Sequence, residues 1–326
     1  MTGVLLAQVG TPDEPTPRAV RRYLRRFLMD RRVVDYSPLW WRPFLECVIL
    51  PRRAHRSAAL YRRIWSPEGS PLLVYSQRQR ALLQDRLGSS YQVTLGMAYG
   101  GPPIGDALDR LIAGGCDTAI VVPMFPQYAS ATTGSIYDAV TDALRYGPSG
   151  TRWFAPALQF VRPFYGDRLY LAAVQARIAE AVAAQPEPPD HIVLTFHGLP
   201  QRFVDSGDPY RSQCETTVRL LVELMQWRAE QVTVCFQSRF GPERWLEPDT
   251  AGVLRGLAAR GIRRPLVVAP GFTTDCLETL DELGHEGRAA FVAGGGSAGA
   301  FALVPCLNDS PAWIAALANL VLSTDP

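Results

Sequence analysis

Two short stretches carry residue types and spacings that could do chemistry. Ile192–Pro200 reads I-V-L-T-F-H-G-L-P: apolar and β-branched residues run up to Thr195 and Phe196, and His197 is followed at once by Gly198 and Pro200. That is the pattern of a buried strand that stops abruptly with an imidazole at its carboxyl end. In open α/β sheets, ligands bind in the crevice beyond such ends. Only four histidines are present, His55, His191, His197 and His285, so one at a strand end carries weight. Capping the strand and acting on a ligand are the two roles open to it. The second stretch, Pro270–Leu280, reads P-G-F-T-T-D-C-L-E-T-L. A strand ends at Pro270, and carboxylates follow in the first turns of a helix, where the helix dipole favours negative charge. Glu278, Glu282 and Glu286 recur every four residues and would line one helix face, at some cost in like-charge repulsion. Glu286 is expected to be solvated, because Gly284 is expected to end the helix before it. A neutral imidazole plus a carboxylate, at a cleft between two domains, suits a divalent first-row metal such as Fe²⁺. The same pair could serve as general base and acid.

Competing chemistries find little support. Ala293-Gly294-Gly295-Gly296-Ser297 precedes a strand instead of following one, so it is not a dinucleotide fingerprint, and no Walker sequence occurs. Ser66, Ser70 and Ser238 lack the context of a nucleophile elbow. The six cysteines are scattered, with no C-x-x-C pair to mark a structural zinc or an iron–sulfur cluster. Cys116, Cys235 and Cys306 sit in apolar surroundings and read as core. A net charge of +2 gives no reason to expect nucleic acid as a partner. The amino terminus lacks the features of a secretory signal, and no apolar run is long enough to span a bilayer. The expected location is cytoplasmic, or at most peripheral at the inner face of a membrane.

The elements that must hold these residues repeat in two halves. In the first, strands are expected at Val4–Val9, Val93–Met97, Ala119–Pro123 and, more weakly, Arg152–Ala155. In the second they are expected at Ile192–Phe196, Val232–Phe236, Leu266–Ala269 and Phe301–Pro305. Helical patterns lie between them, so each half is a doubly wound α/β unit with a parallel sheet covered on both faces. Val4 to Val93 spans 89 positions, whereas Ile192 to Val232 spans 40. The surplus falls on an aromatic, arginine-flanked stretch that includes Leu39, Trp40, Trp41 and Phe44. Such a stretch fits either a buried helix or a surface lip that meets lipid or a flat apolar ligand. The expected domains are 1–165, with this insertion around 35–85, and 166–326, whose last helix is a candidate to pack back on the first.

The motifs together resemble ferrochelatase. Thr195–Pro200, Gly207-Asp208-Pro209-Tyr210, Phe236–Gly241, Pro270–Glu278 and Pro305–Asp309 carry the likeness in the second half. Gly10-Thr11-Pro12, Gly69-Ser70-Pro71-Leu72 and Gly96–Gly100 carry it in the first. The resemblance implies two similar four-stranded α/β domains and insertion of Fe²⁺ into protoporphyrin IX, with loss of two protons. It implies His197 and Glu278 as catalytic and metal-handling residues, with Glu282 a further metal ligand. On the porphyrin side it implies Tyr99 and Ser70, with Leu39, Trp40 and Trp41 of the lip. Iron is then a substrate and no permanent cofactor is expected. With no cysteine after Cys306, no [2Fe–2S] cluster is expected either. Some relatives have a tyrosine directly after the Gly-Thr-Pro turn; Asp13 stands there here, which disfavours the branch that uses coproporphyrin III. The other alternative is a tetrapyrrole carrier without turnover, a role that has no need of the His197–Glu278 pair.

Overall fold

The computed structural model describes residues 1–147, 150–239 and 241–325, so Phe240 of the Phe236–Gly241 motif lies outside the described residues. Two four-stranded, wholly parallel sheets form the framework. The first contains β1 (Thr2–Gln8), β2 (Tyr91–Met97), β3 (Thr118–Pro123) and β4 (Ala157–Phe160) in the order β2-β1-β3-β4. The second contains β5 (His191–His197), β6 (Val232–Gln237), β7 (Pro265–Val268) and β8 (Ala302–Leu303) in the order β8-β7-β5-β6. Counted from its own first strand, each sheet has the same topology. Strand order reverses beside β1 in one and beside β5 in the other, and an open sheet presents ligands beyond the carboxyl ends at such a point.

Helices supply the crossovers that parallel strands require. Between β1 and β2 run α1 (Pro17–Met29), α2 (Pro38–Phe44), α3 (Leu50–Ile64) and α4 (Pro71–Leu87). Then α5 (Ile104–Ala113) leads to β3, α6 (Ser135–Arg145) precedes β4, and α7 (Arg168–Ala183) leads to β5. The short α8 (Gln201–Asp205) and α9 (Tyr210–Met225) lead to β6, α10 (Thr250–Ala259) to β7, and α11 (Arg288–Ala293) to β8, with α12 (Pro311–Leu322) last. In β1, Leu5 and Ala7 pack with Leu108, Leu111 and Val140, yet Val4 and Leu6 on the opposite face are equally inaccessible. Both faces of the sheet are therefore covered, which is why its strands read as unbroken apolar runs. Residues 1–163 and the stretch from Ile314 form one compact unit, and Phe164–Trp313 form the other.

The fourth strand of the first sheet differs from the sequence expectation. Arg152–Ala155 takes no part in that sheet; the strand is Ala157–Phe160, paired with Thr118–Val121. The apolar signal at Trp153 and Phe154 comes from side chains that are 95% and 53% exposed. Arg152 instead bonds the Ala143 carbonyl and the Asp109 carboxylate. Pro156 separates this loop from the strand.

The inserted stretch is a nearly continuous helix. A π-helical turn over Leu45–Ile49 joins α2 to α3. It answers to both descriptions left open by the sequence, one on each face. Trp41, Leu45 and Leu50 are buried, whereas Leu39 and Trp40 are each 83% exposed and Phe44 and Val48 also face outward. Between α1 and α2 opens a pocket of about 480 Å³ lined by Arg25, Arg26, Met29, Arg42 and Glu46. Hydrogen bonds from Arg25 and Arg21 hold the Glu46 carboxyl below its ordinary range.

Candidate active site

His197 is the last residue of β5 and the only half-buried one in a strand that is otherwise buried. Its Nδ1 lies 2.6 Å from the Gly198 carbonyl oxygen. A carbonyl only accepts, so Nδ1 carries the hydrogen and the neutral ring keeps its lone pair on Nε2. The turn that allows this needs glycine. A Cβ on Gly198 would come within 2.6 Å of the Gln237 carbonyl oxygen, the same atom that accepts the Gly198 N–H at 2.7 Å. Tyr210 is buried, with its backbone N–H on the Asp208 carboxylate at 3.0 Å. Burial raises its phenol far above the ordinary range, against a smaller opposing effect of the His197 backbone. The Phe272 ring stands 6.5 Å from the imidazole, centroid to centroid.

Glu278 opens a π-helical segment, Glu278–Gly287, that continues into α11. Gly284 does not end the helix, contrary to the sequence expectation, although Glu286 is exposed as expected. The loop ahead of Glu278 is fixed by Asp275. Its carboxylate accepts from Asn308 Nδ2 at 2.7 Å and Thr279 Oγ1 at 2.9 Å, and its N–H donates to Asn308 Oδ1 at 2.9 Å. Asn308 holds a left-handed backbone (φ 48°), one of the few non-glycine residues to do so. Burial and the Glu278 carboxylate push the neighbouring Cys276 thiol far up, so it stays protonated and is a poor metal ligand. Glu282 accepts a hydrogen bond from Ser238 Oγ. Burial first, and then the charge of Glu278, push its carboxyl from 4.5 to about 8. Near neutral pH it therefore holds a proton.

Tyr99, Ser70 and Trp41, expected on the porphyrin side, all lie in the first unit and are buried. Tyr99 is buried with its hydroxyl on the Asp30 carboxylate, and its ring meets Phe27 edge-on at 5.3 Å. Burial, then Asp30, raises its phenol well above the usual range. Ser70 is buried with its hydroxyl 2.8 Å from that of Thr11, tying the Gly-Ser-Pro-Leu turn to the Gly-Thr-Pro turn. Trp41 requires a correction: it is an anchor of the lip, buried with its indole N–H donating to the Leu28 carbonyl at 2.6 Å, and it does not share the outward face of Leu39 and Trp40. One residue beyond Trp40 on the helix, it is rotated by about 100° and falls on the buried face.

Gln237 and Asp275 are the residues whose part sequence reasoning missed. Both stood inside motifs, and the available signal was a polar residue in a strand or turn otherwise built for burial. Gln237 is 6% exposed and Asp275 5%. His191, at the opposite end of β5, bonds Thr233 at 2.8 Å and is structural, with burial lowering its pKa. Among the described residues, no group of three or more His, Cys, Asp and Glu side chains is arranged to hold a metal ion.

Comparison with known proteins follows the same lines. The sequence model of one family, Ferrochelatase, matches residues 1–325. A ferrochelatase of Bordetella pertussis is 47% identical over 98% of this chain and 87% of its own length. One from Hamiltonella defensa is 43% identical over 98% of this chain and 97% of its own. Among solved structures, SirB from Bacillus subtilis with Fe³⁺ superposes with a TM-score of 0.58 at 16% identity, covering 99% and 95% of the two chains. CbiX, described as the terminal enzyme of sirohaem biosynthesis in denitrifying bacteria, gives 0.52 at 17% over 100% and 99%. These structural likenesses establish the shared α/β fold.

The Glu282 carboxyl yields a test of sign. A folded-state pKa raised from 4.5 to about 8 means that the folded chain holds a proton the unfolded chain has released between those values. The stability this group contributes is complete below the lower value and is lost as pH rises through the upper one. Glu282→Gln cannot ionise and still offers Ser238 an acceptor. Its melting temperature should exceed that of the wild type by more at about pH 8 than at about pH 5. An equal difference at both values would contradict the buried-carboxyl account.

Proposed function

We propose that this chain, which belongs to the ferrochelatase family and inserts ferrous iron into a porphyrin, uses protoporphyrin IX and carries out the exchange with His197 and Glu278. The observation that supports the catalytic part most is the hydrogen bond of His197 Nδ1 to the Gly198 carbonyl, which leaves Nε2 as a basic lone pair at a strand end. A free-base porphyrin carries two inner N–H groups, and Fe²⁺ replaces both protons, so charge is conserved across the reaction. A planar macrocycle hides its nitrogens from the metal. Binding energy at the ring edge that bends it exposes them, a distortion of the ground state toward the transition state. His197, with its lone pair on Nε2, is the acceptor of one proton. Glu278 accepts the second or passes the metal inward, and the neighbouring Glu282 carboxyl, raised by burial and by the charge of Glu278, ionises less readily.

Two features of the first unit favour protoporphyrin IX. The outward face of the lip offers Leu39, Trp40, Phe44 and Val48, and it suits a ring edge bearing vinyl groups better than one bearing carboxylates. Asp13, in the position where coproporphyrin-using relatives have a tyrosine, is occupied with Arg22 at 3.2 Å. The arginines lining the pocket beside the lip supply positive charge for substrate propionates or for anionic headgroups. No helix among the described residues is long and apolar enough to cross a membrane. The exposed apolar face flanked by arginines is the pattern of a helix that lies in a membrane interface, and peripheral contact there would serve an apolar substrate and product.

Anaerobic Fe²⁺ insertion followed by absorbance, with protoporphyrin IX and coproporphyrin III offered separately, tests the substrate. Turnover should be faster with protoporphyrin and lost in Glu278→Ala; preference for coproporphyrin would overturn the substrate assignment. Wild-type protein should cosediment with anionic vesicles and release at high salt, and Leu39→Glu/Trp40→Glu should weaken that binding. Absence of wild-type cosedimentation would leave the arginines to the propionates alone.

A further inference from the structure

We infer that Gln237 is a positioning residue that couples the end of β5, where His197 stands, to the first turn of the Glu278 helix. The inference rests on the reading of His197 and Glu278 given above. Gln237 is the last residue of β6 and the ladder partner of His197. Paired residues of a sheet project to the same face, and so do residues two apart along a strand, so Thr195, His197 and Gln237 share one face.

Every polar group of Gln237 that could tie these elements together is used. Its backbone carbonyl accepts the Gly198 N–H at 2.7 Å, directly after the imidazole. Its side-chain Oε1 accepts from Thr195 Oγ1 at 3.3 Å, two residues before the imidazole. Its Nε2 donates to the Glu278 backbone carbonyl at 3.0 Å. A primary amide is the neutral side chain that offers both a donor and an acceptor at this reach. Leucine of similar length would leave the Thr195 hydroxyl and the Glu278 carbonyl without these partners. Glutamate would keep the acceptor and replace the donor with oxygen. The next residue, Ser238, has a left-handed backbone (φ 67°) and bonds Glu282, so the same strand end also touches the following carboxylate. Through Gln237 the end of β5 and the backbone of the first residue of the Glu278 helix are tied by one buried side chain, in addition to the loop after β7.

Outer partners that orient metal-handling groups are worth about 10–100-fold in activity when removed. The test compares wild type, Gln237→Leu and Gln237→Glu in Fe²⁺ insertion, with kcat and the porphyrin KM measured separately and porphyrin binding followed by fluorescence. Both variants should lose about 10–100-fold in kcat with an unchanged KM and unchanged porphyrin affinity. If Gln237→Leu fails to fold, the isosteric Gln237→Glu decides. A kcat within about twofold of wild type in the folded variants, or a loss that falls on KM instead, would overturn the assignment while leaving the site reading in place. Absence of insertion by the wild type would overturn the site reading and the assignment with it.

Discussion

The rest of the site depends on one short hydrogen bond, from His197 Nδ1 to the carbonyl of the residue that follows it. It decides which ring nitrogen carries the hydrogen, and so places the lone pair on Nε2. The bond exists because the backbone turns sharply after the strand. That turn exists because Gly198 lets the chain approach Gln237 to a distance that no Cβ would permit. The strand, in turn, is central in a sheet buried on both faces, with β6 and β7 on either side. A half-buried imidazole at the end of such a strand is carried by a strand paired on both sides, the placement that a proton acceptor of fixed geometry would need.

Around that fixed point the carboxylates are arranged to differ. Glu282 is half-buried beside Glu278, and two adjacent carboxylates in a poorly solvated setting do not both ionise readily. One proton is therefore stored in the site near neutral pH. A divalent cation arriving at this turn would reverse the balance, since its charge favours the ionised form of both groups. Asp275 stands outside this exchange. Its lone pairs are taken by Asn308, Thr279 and the Cys306 N–H, so it serves as the buckle that keeps the turn before Glu278 in place. Removing a partner from such a buried network leaves an unsatisfied group at a cost of about 1–3 kcal/mol.

Much of this was legible in the sequence, for identifiable reasons. Seven of the eight strands expected from the sequence lie within a few residues of strands of the two parallel sheets, because buried parallel strands are short apolar runs punctuated by glycine and proline. The strand-end rule singles out His197, the turn after a later strand singles out Glu278 as a candidate, and the family follows from the motifs that surround them. What was not legible depends on which way a side chain faces. Trp153 and Phe154 look like strand residues and are exposed, while Trp41 looks like its neighbour Trp40 and is buried. The π-helical segment at Glu278–Gly287 has no sequence signature, so the helix was expected to stop at a glycine that it passes through. Gln237 and Asp275 looked like motif letters because their bonds are to residues 41 and 33 positions away.

The most direct measurement of the central claim is Fe²⁺ insertion by His197→Ala alongside its affinity for the porphyrin. If the Nε2 lone pair accepts a proton from the macrocycle, the variant folds and binds porphyrin as the wild type does. Its turnover falls by at least the ~10²–10⁴-fold that a positioned base supplies. Turnover at the wild-type rate would remove His197 from the reaction and leave its hydrogen bond to Gly198 as a strand cap.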